Sequence, residues 1–420
     1  DELYVRRVQV AQTILDVYAR PEIAEGLRIY LAAERANDKA LTSFLRTITR
    51  PALDVLKLAA TGVGMAVPTT LGKVPAQDGL ALLVHGYVSA MAGIEVVLKD
   101  ISQAAADEGK AYTERLLARR VEKGRMDQAK MDGILALIKP TAEDTDLQGC
   151  DLIIEAVFEN MALKHEITRA LEGYLAEGGV WGSNTSTLPI TQLAEANERP
   201  ANFIGIHFFS PVDKMPLVEI ICGKETDDIT LAKAFDYCKQ IRKTPIVVND
   251  SLGFFTSRTF GTYLDEGVRL LTEGVHPVKI DNLGKAVGMP VGPLAVHDEV
   301  SLELTRKAGE THAELGVAGK WGEQEAMNQV VTTLVGEYGR GGRAHGGGFY
   351  EYAEDGSKMI WPGLFDLYYK EEVSMPEQDV KERLLFRQVI ESLKCLESGV
   401  LRNVQDGNVG SIMGIGAPVW

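Results

Sequence analysis

Residues 151–186 read DLIIEAVFENMALKHEITRALEGYLAEGGVWGSNTS. The apolar runs DLIIEAVFE (151–159) and GVWGSNTS (179–186) predict two strands, and the stretch between them predicts a helix. Working outward, the alternation continues on both sides. GIEVVLKD (93–100) predicts a buried strand ending in Asp100, followed by a helix from Ser102 to about Lys123 with Ser102 as N-cap. On the other side come a helix in LPITQLAEA, strands in NFIGIHFFSP and PLVEIIC, a helix in ITLAKAFDYCKQI and a strand in TPIVVND (244–250). Strands alternating with helices at this spacing predict a mostly parallel, doubly wound sheet with helices on both faces, over residues 71–250.

Beyond Asp250 the pattern turns helical. GFFTSRTFGTYLDEGVRLLTEG carries it, VGMPVGPL interrupts it, and the Gly-rich GRGGRAHGGGFYEY (339–352) closes an all-α domain expected over 251–353. GGGFYEY is read there as a tight turn packing aromatics. Gln378–Ser398 is helical again and resembles the pattern of the 250s, so 354–420 is expected to be a truncated second copy of the helical domain. Before residue 70, Val5, Val8, Ala11, Ile14, Leu15 and Tyr18 recur at helical steps. Pro21 and Pro51 each open a further helical segment. Residues 1–70 are expected to form a helical segment without a chemical motif. The chain starts at Asp1 rather than Met and stops abruptly at Trp420, so it is expected to be a piece of a longer protein.

The charge balance of −15, from 59 acidic and 44 basic residues, argues against non-specific nucleic-acid binding. Four widely spaced cysteines form no C-x-x-C, and the histidines show no metal-ligand spacing, so no metal site is expected. Few thiols fit a reducing compartment. No signal-peptide core and no run of about 18 apolar residues occurs. These features lead to the expectation of a cytoplasmic protein without a membrane span.

The chemistry concentrates in Asn202–Cys222, NFIGIHFFSPVDKMPLVEIIC, where each of two apolar runs carries one ionisable residue, His207 and Glu219. If the runs lie side by side, the carboxylate accepts from one ring nitrogen and leaves the other as a general base near neutral pH. The competing reading is a surface Glu and a satisfied core His. Asp100, Glu159, Asn184 and Ser186 fall at expected strand ends, where doubly wound sheets bind ligands. Lys164 follows in the first turn of a helix.

Taken together, GIEVVLKD, LIIEAVFEN, GSNTSTLPI, FIGIHFFSPVDKMPLVEII, PIVVNDSLGFFTSR and GGGFYEY resemble the L-3-hydroxyacyl-CoA dehydrogenase family. The match is closest to the dehydrogenase half of the multifunctional α-subunit of bacterial fatty-acid oxidation complexes, and it covers residues 87–420. The resemblance implies a Rossmann-type NAD domain and NAD-dependent oxidation of an acyl-CoA substrate. It implies His207 as base, Glu219 as its orienting partner, and Ser186 as a hydrogen-bond partner of the substrate oxygen. It places Asp100 on the ribose and Ala156, Val157, Glu159, Lys164 and Asn184 around the cofactor. Lys123, with Lys110, is a candidate for the CoA phosphates. Ser257 and Ser210 stand where the family commonly has Asn, at catalytic and substrate-binding positions respectively. The resemblance also implies a hydratase half, of which at most the tail is expected here, a thiolase partner and a homo-oligomer.

One departure stands out. Counting back from Asp100 places the family's G-x-G-x-x-G turn near residues 77–84, which read QDGLALLV. Without small residues a backbone cannot close on a pyrophosphate. Either NAD binding is impaired, or the stretch is discontinuous with the family pattern. The first option leaves a rival reading, a non-catalytic CoA-ester-binding or assembly remnant. A different oxidoreductase on the same scaffold is the third.

Overall fold

A computed structural model describes residues 64–68, 80–314, 325–353 and 355–418. The chain divides into two compact units, Asp1–Val63 and Gly64–Trp420. The helices expected within 1–63 lie outside the described residues.

The second unit is built on an eight-stranded sheet. Its strands are β1 (Gly64–Pro68), β2 (Glu95–Lys99), β3 (Ile138–Thr141), β4 (Cys150–Glu155), β5 (Leu175–Ser183), β6 (Phe203–Phe208), β7 (Leu217–Cys222) and β8 (Thr244–Asn249). Helices α1 (Leu80–Met91), α2 (Gln103–Glu122), α3 (Gln128–Ala136), α4 (Met161–Leu171), α5 (Ile190–Ala194) and α6 (Asp228–Gln240) connect them. The strand order is β3-β2-β1-β4-β5-β6-β7-β8. Chain order therefore reverses between β1 and β4, which creates the crevice at the strands' carboxyl ends where such sheets bind ligands. All pairs are parallel except β6 with β7.

Local chemistry explains the elements. Ser102 caps α2 by accepting from Ala105 N–H, and Asp127, Asn160 and Asp227 cap α3, α4 and α6 in the same way. Strands β6 and β7 are buried at every position, as expected of strands covered on both faces. Ile204, Ile206, Val218 and Ile220 join the core on one face, and Phe203, Leu217 and Ile221 the core on the other. Each such fully buried aliphatic or aromatic side chain contributes roughly 1.5–3 kcal/mol.

Helices α7 (Thr256–Thr272), α8 (Pro277–Ala286), α9 (Pro293–Val300), α10 (Leu302–Glu314) and α11 (Glu325–Thr332) follow the sheet. A two-stranded antiparallel ribbon comes next, β9 (Tyr350–Tyr352) with β10 (Lys358–Ile360), and then α12 (Gly363–Leu367), α13 (Glu377–Glu397) and α14 (Val404–Ile415). Gly346 and Gly347, at φ 87° and 154°, shape the turn before the ribbon. The ribbon was not expected in an all-α region. It forms because Asp298 accepts from Phe349 N–H, Tyr350 N–H and the Tyr352 hydroxyl and so pins the strand to α9.

Two further expectations change, and a third falls partly on residues outside those described. Strand β1 falls inside the stretch expected to be helical to residue 70; its five residues GMAVP are too short to show a period, and pairing with β2 and β4 supplies the order. Of the turn expected near 77–84, residues 77–79 lie outside the described residues, and α1 begins at Leu80. The connection runs through 69–79, TTLGKVPAQDG, which lies outside the described residues. Finally, residues 354–420 do not stand apart as a second domain. Val380 and Leu384 of α13 complete the helical core, and Cys395, Val400 and Leu401 enter the core on one face of the sheet. Arg383 bridges Glu266 and Glu273, and Arg387 bridges Asp265 and Glu266, tying α13 along α7. Helical periodicity showed that α13 has an apolar stripe; it carried no information about what buries it.

Candidate active site

The antiparallel pairing of β6 and β7 sets His207 directly opposite Glu219. His207 Nδ1 lies 3.0 Å from Glu219 Oε2, and both side chains are buried. The ring packs between Phe209, at 4.5 Å, and Phe254, at 6.1 Å between centroids. Glu219 is held from the other side by the start of α7. Its Oε1 accepts from Phe255 N–H at 3.0 Å and Thr256 N–H at 3.1 Å, and its Oε2 accepts from the Thr256 hydroxyl. Gly253 and Phe254 both take positive φ, 64° and 55°, in the turn that delivers these amides. For Phe254 that conformation costs about 1–2 kcal/mol, and its fully buried ring offsets the cost.

The 183–187 loop forms a second wall. Asn184 Oδ1 accepts from Phe208 N–H at 2.9 Å, joining the loop to the strand that carries His207. Glu159 Oε1 accepts from the Thr185 hydroxyl (2.6 Å), Ser186 N–H (3.0 Å), Thr187 N–H (2.9 Å) and the Thr187 hydroxyl (3.0 Å). Burial works to raise the Glu159 pKa, but Lys164 and these donors outweigh it and hold it below the usual carboxylate range. The Ser186 side chain is exposed.

Behind this wall sits a buried ion pair. Lys164 Nζ lies 3.1 and 3.0 Å from the two oxygens of Glu155 and donates to Val157 O at 3.2 Å. Its side chain is 0% exposed and that of Glu155 is 1% exposed. Glu155 also accepts from Val157 N–H and the Ser183 hydroxyl. Strand β4 thus ends at Glu155, and Glu159 lies beyond it on a turn rather than at the strand end. Lys164, expected beside the cofactor, has its ammonium enclosed by protein. Val157 spends both backbone groups on this network, and Ala156 is buried.

Asp100 follows β2, is 1% exposed, and accepts from Ile101 N–H at 2.6 Å. Ser257 is half-buried in the first turn of α7, beside Thr256. Ser210 is exposed on the loop between β6 and β7, before a cis Pro211. Lys243 clips that loop by donating to Val212 O and Met215 O. Lys110 donates to Ile138 O at 2.8 Å and supports β3. Lys123 is the exposed C-cap of α2, about 30 Å along that helix from Ser102. Sequence reasoning missed Thr256, Glu155 and Lys243. Thr256 had a signal, since it neighbours Ser257 in the same motif; Glu155 sits inside an apolar run and Lys243 in an ordinary helix–strand junction.

The arrangement fits a dinucleotide. The reversal of strand order opens a crevice at the strands' carboxyl ends, and the buried carboxylate at the end of β2 stands where such sheets hold the ribose. Fold and site together define a two-domain, nicotinamide-dependent dehydrogenase. Residues 84–251 match the 3-hydroxyacyl-CoA dehydrogenase NAD binding domain, and residues 253–352 match the C-terminal domain of the same family. The chain belongs to the 3-hydroxyacyl-CoA dehydrogenase family.

The solved (S)-3-hydroxybutyryl-CoA dehydrogenase from Ralstonia eutropha is 32% identical, with a TM-score of 0.63, over 70% of this chain and 100% of that one. The dehydrogenase part of a multifunctional enzyme from C. elegans is 27% identical with a TM-score of 0.57, over 85% of this chain and 78% of that one. The fatty acid oxidation complex subunit alpha of Shewanella sp. (strain W3-18-1) is 34% identical over 95% of this chain. The chain spans 57% of that relative's length, a little over half. No helix among the described residues is long and apolar enough to cross a membrane.

Proposed function

We propose that the chain oxidises an L-3-hydroxyacyl-CoA to the 3-oxoacyl-CoA, with NAD, as the dehydrogenase part of a multifunctional fatty-acid oxidation protein. The observation that carries this reading is the buried His207–Glu219 pair near the carboxyl end of β6. A carboxylate with four donors around it is fixed in place, and it fixes the imidazole in turn. Nε2 of His207 is the nitrogen that Glu219 leaves free to take the proton from the C3 hydroxyl. Glu219 then stabilises the imidazolium that results. The hydroxyls of Ser186 and Ser257 hold the substrate oxygen, and Glu159 keeps the Ser186 loop in register. Ser210 lies toward the acyl-CoA, and Lys123 toward its phosphates.

Asp100 would hold the ribose, with Asn184 and the 156–159 turn beside the nicotinamide. Bound there, NAD supplies the hydride acceptor. By its likeness to fatty acid oxidation complex alpha subunits, we further infer a hydratase half in the same polypeptide, a thiolase subunit as partner, a homo-oligomer and a cytoplasmic setting.

The test is NADH formation by the purified chain from NAD+ and a 3-hydroxyacyl-CoA. A chain that binds NAD+ yet forms no NADH refutes the reading. One sequence observation favours a CoA-ester-binding domain without turnover: residues 69–79 hold glycine only at 72 and 79. Calorimetric titration with NAD+ separates the two, because the non-catalytic domain gives no saturable heat.

A further inference from the structure

Glu219 has two oxygens with different surroundings. Oε1 accepts two backbone N–H groups from the start of α7, at 3.0 and 3.1 Å. Oε2 accepts from His207 Nδ1 and from the Thr256 hydroxyl. The two amides alone hold one oxygen and leave the carboxylate plane free to turn about it, since the terminal torsion of Glu is broad. The hydroxyl fixes the second oxygen. An ionised carboxylate only accepts, so two donors converging on Oε2 require the proton of the neutral imidazole to sit on Nδ1. Nε2 is then the unprotonated nitrogen, the one a base needs. Thr256 is itself fully buried, so its hydroxyl has this acceptor in place of water.

We propose that Thr256 is a positioning residue of the reaction: its hydroxyl locks the Glu219 carboxylate in the orientation that sets the His207 tautomer. In this role Thr256 acts through Glu219, the carboxylate its hydroxyl and N–H both reach. The inference rests on the dehydrogenase reading for its catalytic consequence, but not for its structural content.

The experiment compares Thr256→Val, which keeps the shape and removes the hydroxyl, with Thr256→Ser, which keeps the hydroxyl. The first readout is the ring-nitrogen spectrum of His207 in isotope-labelled protein, assigned with His207→Gln. Wild type and T256S are expected to show the Nδ1–H tautomer, and T256V a mixture of both. The second readout is steady-state kinetics. T256V should lose about 10- to 100-fold in kcat, the scale of a misplaced catalytic group, with KM for both substrates within about twofold and T256S close to wild type. A T256V chain whose His207 signals match the wild type overturns the proposal whatever its rate. So does a T256S chain that shows the mixed tautomer. An inactive wild type with the expected tautomer pattern sinks the dehydrogenase reading and leaves the role of Thr256 standing.

Discussion

Lys164→Met tests whether the buried network holds this site together. Methionine matches the length of the lysine stem and removes the charge. Glu155 then keeps the Ser183 hydroxyl and Val157 N–H but loses an ammonium 3.0 and 3.1 Å from its two oxygens, in a place where its side chain is 1% exposed. Water cannot replace the lost partner. Breaking a buried pair by removing one member costs about 3–5 kcal/mol. With a urea slope of about 3 kcal/mol/M, that lowers the unfolding midpoint by roughly 1–2 M. The double variant Lys164→Met/Glu155→Leu removes both charges and should recover most of the loss, because the pair also carries a desolvation cost that an apolar pair avoids. Urea titrations followed by fluorescence compare the three proteins. A single variant within about 1 kcal/mol of wild type, or a double no better than the single, would show that Glu155 finds another partner and refute the reasoning.

Four other outcomes follow from the same geometry. His207→Gln should lower turnover by at least about 10²-fold while the NAD+ dissociation constant stays nearly unchanged, as read by kinetics and calorimetry side by side. Glu219→Gln should lower kcat strongly, on the order of 10²- to 10⁴-fold, because the neutral amide loses the charge that orients the imidazole, and in either orientation its NH₂ faces two donors. Gly348→Ala should destabilise the helical region by about 1–3 kcal/mol or more in a thermal melt, because a Cβ there would lie 2.0 Å from Asp298 Oδ1 and 2.6 Å from Leu302 Cδ1. Burial pushes the Asp298 carboxyl up to about 6 against the opposing pull of the Tyr350 and Phe349 N–H groups. The folded state therefore keeps a proton that the unfolded state has lost between about pH 4 and 6, so this group's contribution to stability falls as pH rises through that window. Asp298→Asn should flatten that slope in urea midpoints measured at either end of it.

The His207–Glu219 pair was legible because each partner interrupts an apolar run and the runs sit close in sequence. The α2 cap at Ser102 and the strand ending before Asp100 were legible for similar reasons. Lys164 was visible as a residue, but its environment was not. Only the fold brings Glu155 beneath it, and a glutamate in LIIEAVFE looks like part of a strand that runs on to Glu159. Strand β1 was hidden because five residues cannot display a period, and its order comes from two neighbours that are distant in sequence. The place of α13 was hidden because its stripe fits many partners, and the choice among them is made by Arg383 and Arg387 meeting the acids of α7.

The reversed strand β7 makes the loop between residues 208 and 217 a measuring device. His207 and Glu219 face each other only in the present register, and each is one tooth of an alternating row. Removing a single loop residue and letting the strand slip to compensate would turn Glu219 to the opposite face of the sheet. His207 would then face Val218 or Ile220. Changes of loop length are tolerated only where the loop absorbs them itself, and Lys243, clasped to two of its carbonyls, limits how much it can absorb. Substitutions are therefore open to this hairpin, whereas insertions and deletions within it are constrained by the pair they would separate.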